Sequence, residues 1–146
     1  MWNYVTDNVT IQELMDKVCF FHDSCIKEIR YISGAYIDNE LFMHPTNSSR
    51  KLSVIIQRQT HINSVIELEF TKLKYLRLIP LEEKYTCEIL GATLLIEHGY
   101  FVWFDCADMS VSDMEKYDGV VVCAEGLRWR AIDVGLGSQE YFEKQI

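Results

Sequence analysis

The sequence predicts an α+β fold in which β-structure dominates, with an N-terminal helix packed on an antiparallel sheet or a β-sandwich. A helix-capping pattern followed by apolar residues at helical spacing lies near the start of the chain. Most of the remainder alternates with a period of two, and turn signals interrupt it at short intervals. The 146 residues fit a single domain spanning residues 1–146. A domain of that size can bury a core without disulfides or metal.

The helix is predicted over residues 11–19. Thr10 and Glu13 have the spacing of a capping box, in which each side chain accepts a hydrogen bond from the other residue's amide. The apolar residues that follow at helical spacing are Ile11, Leu14, Met15 and Val18. A helix with one apolar stripe must pack on another element, and a sheet is the obvious candidate.

The first two strands are predicted over residues 25–37 and 51–59. The alternation in the first is imperfect, so a β-bulge is expected near Ser33-Gly34. A turn at residues 38–40 and a polar loop at 44–49 connect the two strands.

The third strand, residues 64–70, has the clearest alternation. Its aliphatic and aromatic side chains are expected to face inward, and Glu67 and Glu69 to face outward. The chain continues as a second apolar set over residues 73–78, which is out of phase with the first. The offset predicts a bend between Thr71 and Lys72.

The C-terminal half is predicted to contain two hairpins and a short terminal helix. A strand over residues 85–96 turns at 97–99 into a strand over 100–106 that is apolar on both faces. The last hairpin is expected to join residues 120–123 to 127–132 through 124–126. Residues 138–146 are predicted as the helix.

Composition excludes several classes of function. The formal net charge is −8, from 22 acidic and 14 basic residues, so a phosphate backbone would be repelled and nucleic-acid binding is disfavoured. No apolar run is long enough to cross a membrane, and the start of the chain does not resemble a signal peptide. The five cysteines are an odd number without a C-x-x-C pair, which in a chain without an export signal favours reduced thiols and a cytoplasmic protein. No cofactor is expected.

The junction between the helix and the first strand carries the candidate site residues His22 and Asp23. A histidine beside an aspartate could be catalytic, metal-binding or structural. Adjacent residues on an extended segment point to opposite sides, so His22 and Asp23 should not act together as a base and its orienting carboxylate. The structural interpretation is favoured, with His22 donating to a carbonyl and Asp23 capping a turn.

Metal binding and nucleophilic catalysis are not supported by the motifs. His22 and Cys25 could in principle join Cys106 or Cys123 around zinc, but no second ligand pair has the usual spacing. No nucleophile motif or phosphate-binding loop is present in the sequence. No catalytic residue and no metal ligand is therefore assigned.

Asp105, Arg128 and Arg130 are further candidate binding residues. Asp105 lies on a strand that is apolar on both faces, so its carboxylate should be paired, and Arg128 and Arg130 are the expected partners. The two arginines alternate with Leu127 and Trp129. One face of that strand should carry the guanidinium groups while Trp129 faces the core.

Two segments resemble a family of small bacterial β proteins, some of which are classed as immunity proteins of toxin systems. Residues 21–26, Phe-His-Asp-Ser-Cys-Ile, resemble the Phe-His-Asp opening motif of these proteins. Residues 68–78 resemble their middle strand, which has an aromatic residue followed by spaced aliphatic ones. The family often places Trp and Pro before the opening motif, whereas this chain has Cys19 and Phe20. The resemblance implies a non-enzymatic cytoplasmic binding protein in which His-Asp is a structural signature.

Two hypotheses of function follow. The first is a cytoplasmic protein-binding module, immunity-like and without catalysis, which binds a protein partner through an acidic or mixed surface. The alternative is a small enzyme or ligand-binding protein with a pocket near His22, Asp23, Asp105 and Arg130. The oligomeric state is left open, because the sequence does not identify the edge strands.

Overall fold

The computed structural model describes residues 1–132 and 136–140. Within these residues, its regular elements are β1 (Asn3–Val5), α1 (Asn8–Lys17), β2 (Ser24–Ile32), β3 (Tyr36–Ile37), β4 (Met43–His44), β5 (Lys51–Arg58), β6 (Val65–Leu78), β7 (Thr93–Glu97), β8 (Tyr100–Phe104) and β9 (Val120–Ile132). Short 3₁₀ turns lie at Cys19–Phe21 and Val111–Asp113. The fold is α+β with β-structure dominant, as the sequence predicts.

The main sheet is antiparallel and has seven strands. Six of them lie in the order β2-β5-β6-β9-β8-β7, and β1 pairs with β9. Because β6 pairs along one edge of β9 for nearly its whole length, β1 and β8 lie along the other edge, where they pair with different parts of β9. Strands β3 and β4 form a separate two-stranded sheet.

The helix begins three residues earlier than predicted. Asp7 is the N-cap, and its Oδ1 accepts a hydrogen bond of 2.8 Å from the Thr10 amide. The Thr10 hydroxyl reaches back to accept from the Asp7 amide at 3.0 Å, which closes a capping box one turn before the expected one. The apolar stripe is as predicted, with Ile11, Leu14 and Met15 buried.

The first predicted strand is divided. Its bulge lies between Ile26 and Glu28, not at Ser33-Gly34, and regular pairing with β5 ends at Ile32. Gly34 has a φ of +95°, and a Cβ there would lie 2.5 Å from the Ser48 hydroxyl oxygen. Gly34 and Ser48 therefore lie close together at the base of the hairpin formed by residues 36–44, which projects from the sheet.

Strands β6 and β9 form the longest pair, which agrees with one expectation and corrects another. The two apolar sets of β6 belong to one strand, and Lys72, with a φ of +52°, marks the predicted bend. The predicted last hairpin is wrong, because β9 is continuous and pairs with β6 over nearly its whole length. Gly126 lies inside β9, where its missing side chain leaves room for the Thr71 hydroxyl.

The predictions for residues 85–99 and for the C-terminal end are only partly confirmed. The turn at residues 97–99 connects β7 to β8 as expected. Residues 85–92 are irregular apart from one β-bridge between Ser24 and Ile89, so the predicted strand over 85–96 is reduced to Thr93–Glu97. Residues 138–140 of the predicted terminal helix are not helical, and residues 141–146 lie outside the described part.

Apolar side chains pack on both faces of the sheet. The larger cluster includes α1, Phe21 and Trp103, whose rings meet edge to face with centroids 5.6 Å apart. The smaller cluster lies on the opposite face, where Val121 and Cys123 are covered by residues 109–117. No helix within residues 1–132 and 136–140 is long and apolar enough to span a membrane.

Candidate functional site

The side chains of His22 and Asp23 lie close together, contrary to expectation. His22 Nε2 and Asp23 Oδ2 are 3.4 Å apart. The expectation of divergence assumed an extended backbone, whereas Asp23 has a φ of +57° that turns its side chain back towards the ring. His22 Nδ1 lies 2.8 Å from the Leu90 carbonyl oxygen, as the structural interpretation expected of a donating histidine. Both ring nitrogens therefore have partners.

This junction connects the helix to the sheet through an unusual backbone. Cys19, Phe20 and Phe21 all have positive φ values, a conformation that normally costs a non-glycine residue about 1 kcal/mol or more. The burial of Phe21 and two backbone hydrogen bonds, from Asp23 to Ile89 and from Ala92 to Phe20, hold the turn in place. The contacts of the segment are those of a structural joint.

Asp105 does not pair with Arg128 or Arg130. Its Oδ1 accepts hydrogen bonds from the Tyr117 hydroxyl and, at 3.2 Å, from the Val120 amide. Burial, followed by the hydrogen bond and the negative charge of Asp105, raises the pKa of Tyr117. The expectation that this carboxylate is paired holds, but the partners are a phenol and an amide.

The two arginines instead cover the carboxylates of β6. Glu67 lies opposite Arg130 and Glu69 opposite Arg128 in the register of β6 and β9. The ion pairs are short, with N–O distances of 2.7 Å for Glu67–Arg130 and 2.6 Å for Glu69–Arg128. The prediction that Glu67 and Glu69 face outward into solvent is wrong, since they are 0% and 2% exposed.

Further contacts complete this ion-pair ladder, which comprises Glu67, Glu69, Arg128 and Arg130. Ser53 donates a hydrogen bond of 2.7 Å to Glu67. The Trp2 ring lies over both guanidinium groups, with centroid distances of 4.1 Å to Arg128 and 4.4 Å to Arg130. The arginines are thus engaged within the protein.

The structure does not bring the predicted pocket residues together. A cavity of about 480 Å³ is lined by Asp105 but not by His22, Asp23 or Arg130. A more open cleft of about 660 Å³, where β1 and β8 approach the same side of β9, is lined by Arg128 and by none of the other four. Among the described residues, no group of three or more His, Cys, Asp or Glu side chains is placed to hold a metal ion.

Several large apolar side chains are exposed elsewhere, on residues 36–44, which are called the hairpin arm below. Leu41 is 83% exposed, and Phe42 and Met43 are about two-thirds exposed, at 64% and 66%. Tyr36 and Ile37 on the opposite strand of the arm are also exposed, as are Tyr31 and Ile32 at the end of β2. So many large, exposed apolar side chains on one short hairpin are uncommon on a protein that acts alone.

The hairpin arm is held by hydrogen bonds within its tip. Asp38 Oδ1 accepts from the amides of Glu40 and Phe42, each at 3.0 Å, and Asp38 Oδ2 lies 2.9 Å from His44 Nε2. These hydrogen bonds hold the pKa of the Asp38 carboxyl below its ordinary value, and the bond with His44 has the largest effect. The rings of Tyr36 and His44 stack with centroids 4.4 Å apart. The exposed side chains are therefore presented by an ordered turn.

The sequence did not indicate that residues 36–44 form an exposed apolar surface. Tyr36 and Ile37 are predicted at the end of the first strand, whereas Leu41, Phe42 and Met43 are predicted in no element. Periodicity does not show whether a strand has a layer to pack against. One signal was present: Leu41, Phe42 and Met43 directly follow a turn and precede a polar loop, where few apolar residues are expected.

Comparison of the chain with protein-family models, with curated proteins and with solved structures finds no match.

Proposed function

We propose that this protein is a non-enzymatic module that binds another protein, and that the hairpin arm is its principal contact surface. The observation that carries the proposal is the set of exposed aromatic and aliphatic side chains on one ordered hairpin. The resemblance of residues 21–26 and 68–78 to toxin-immunity proteins supports a partner of the toxin kind and a cytoplasmic setting.

Aromatic anchors near the centre of an interface commonly carry most of the binding energy. Tyr36 and Phe42 have the chemistry of such anchors, and Tyr31 extends the surface along β2. Because Asp38 and His44 already order the tip, less conformational entropy is lost when a partner binds.

The net charge indicates what kind of partner would be attracted. A formal charge of −8 favours encounter with a basic protein and opposes association with a second copy of the same chain. The arm supplies apolar contact, while the net negative charge of the whole chain supplies long-range attraction.

The test compares the affinity of one partner for matched variants. The partner is the product of a neighbouring gene, or a protein captured from the source organism that forms a stoichiometric complex. Leu41→Ser with Phe42→Ser should weaken binding about 30-fold, the effect of losing about 2 kcal/mol at a hot spot.

Val9→Ser with Ile62→Ser is the control, because Val9 and Ile62 are also exposed, at 66% and 76%, and lie outside the arm. Binding should be unchanged in this control, as measured by calorimetry. Equal affinity of the partner for the arm variant and the control would refute the proposal.

A further inference from the structure

A second concave surface, separate from the hairpin arm, lies beside the first half of β2. It is the cavity of about 480 Å³ that Asp105 lines, called the acidic groove below. Its floor comes from β2 and from the end of β6 with the residues that follow it. The apolar floor residues used in the argument are Ile26, Ile29, Leu78, Ile79, Leu81 and Tyr85.

Much of this floor is accessible to solvent. Leu78 and Ile79 are 44% and 40% exposed, and Leu81 and Tyr85 are 55% and 60% exposed. The Ile79 amide donates to the Gly119 carbonyl at 3.0 Å, and the Ile89 amide donates to Ser24 at 2.7 Å, so both ends of the irregular segment are anchored. The segment that lines the groove is thus fixed at both ends by backbone hydrogen bonds.

All charged side chains among the described residues that line the groove are carboxylates: Glu82, Glu83, Glu88, Asp105 and Asp118. Asp105 accepts hydrogen bonds from the Tyr117 hydroxyl and the Val120 amide, and two other carboxylates form ion pairs with cations beside the groove. These pairs are Glu82–Lys84 at 3.2 Å and Asp118–Arg77 at 3.1 Å. The Glu82–Lys84 pair is exposed and should contribute little free energy, whereas Arg77 is partly buried and also donates to the Tyr117 carbonyl.

We propose that the acidic groove binds a basic amphipathic segment of a protein partner. Apolar side chains of that segment would cover Ile79, Leu81 and Tyr85, while its lysines or arginines would pair with Glu82, Glu83 and Glu88. Neither a purely apolar nor an acidic segment fits, because the first leaves the carboxylates unpaired and the second is repelled. The inference rests on the proposed protein-binding function but concerns a different surface from the hairpin arm.

The probe is a synthetic amphipathic peptide of leucine and lysine, titrated against the full chain by fluorescence anisotropy at physiological salt. A leucine–glutamate peptide and an all-lysine peptide serve as ligand controls. The leucine–lysine peptide should bind at least about tenfold more tightly than either. Equal binding of the all-lysine peptide, or no binding of the leucine–lysine peptide, would overturn the proposal.

Matched charge reversals locate the site. Glu82→Lys with Glu83→Lys should weaken the leucine–lysine peptide at least about tenfold. Glu13→Lys with Glu115→Lys changes the net charge equally, at exposed positions outside the groove, and should have a much smaller effect. Equal effects of the two double variants would show non-specific attraction to an acidic protein and would contradict the proposal.

A third variant tests the apolar floor, and a fourth separates the two proposals. Ile79→Ser with Leu81→Ser should also weaken the peptide about tenfold, with thermal melting used to confirm that it is folded. Leu41→Ser with Phe42→Ser should leave peptide binding intact. If this arm variant alone loses the peptide, the groove proposal fails while the protein-binding function stands.

Discussion

The centre of the sheet and the hairpin arm reverse the usual distribution of polar and apolar side chains. At the centre, the carboxylates of Glu67 and Glu69 are almost completely buried. On the arm, Leu41, Phe42 and Met43 are largely exposed. The two regions are joined through β2 and β5, so one chain adopts both arrangements within a short distance along the sequence.

The difference shows that burial depends on what covers a side chain more than on its polarity. Arg128 and Arg130 lie directly opposite the glutamates and satisfy them, so desolvation of the carboxylates is offset. The arm has only two short strands and no packing layer in the described residues. Its apolar side chains therefore remain available for contact with a partner.

The largest expected effect comes from making the same substitution in the two regions. Phe70 is fully buried and Phe42 is 64% exposed. Phe70→Ala should lower the free energy of unfolding by about 4 kcal/mol, whereas Phe42→Ala should change it by less than about 0.5 kcal/mol. Urea denaturation measures both. A Phe42 effect near that of Phe70 would mean that the arm packs against the body of the protein.

Breaking one ion pair of the ladder should have the next largest effect. Arg130→Ala leaves Glu67 buried without its cation and should cost about 3 kcal/mol, near the lower end for a buried pair because Arg130 is partly exposed. The double variant Glu67→Leu with Arg130→Met, which replaces both charges by apolar side chains, should recover most of the stability that Arg130→Ala loses. If Arg130→Ala costs less than about 1 kcal/mol, solvent reaches Glu67 and the carboxylate is not truly buried.

The His22 joint should contribute less than the ladder. His22→Ala removes the hydrogen bond to Leu90 and should lower the free energy of unfolding by about 1 kcal/mol. His61, an exposed histidine, provides the control His61→Ala, which should be neutral in the same denaturation assay. A folded His22 variant that loses partner binding without losing stability would assign this residue to function.

The smallest effect concerns the pH dependence of the arm. The pKa of Asp38 in the folded protein is lowered, chiefly by its bond with His44, from an unfolded value of about 3.9. The Asp38 carboxylate therefore orders the tip fully at pH values above its pKa in the unfolded chain. This contribution is lost as the pH falls through its lower pKa in the folded protein. The amide chemical shifts of Glu40 and Phe42 should change together on acidification. Asp38→Asn should abolish this transition, and a transition that persists would exclude Asp38 as its cause.

The sequence could predict the features that depend on short spacing. Apolar spacing identified the helix stripe, and the mismatch of phase across Thr71 and Lys72 identified the bend in β6. The predicted start of the helix is wrong because two residue pairs fit a capping box, Asp7 with Thr10 and Thr10 with Glu13. The two pairs are one turn apart, and the sequence alone does not distinguish them. Residues 124–126 were mistaken for a hairpin turn because a glycine inside a strand resembles a turn signal.

The candidate site was less predictable. The sequence identified His22, Asp23, Asp105, Arg128 and Arg130, but most of their partners lie on other elements of the fold. Arg130 meets Glu67 because β9 lies beside β6, and Asp105 meets Tyr117 because residues 109–117 fold back over the sheet. No local pattern specifies either neighbour.

The sequence by itself determined the fold class, the alternation along most strands and the acidic character of the surface. Only the tertiary structure decided that the carboxylates of β6 are buried and that the apolar residues of the hairpin arm are exposed. The physical reason is that a period of two shows which residues share a face of a strand. Whether that face meets a core, an arginine or solvent depends on elements far away in the chain.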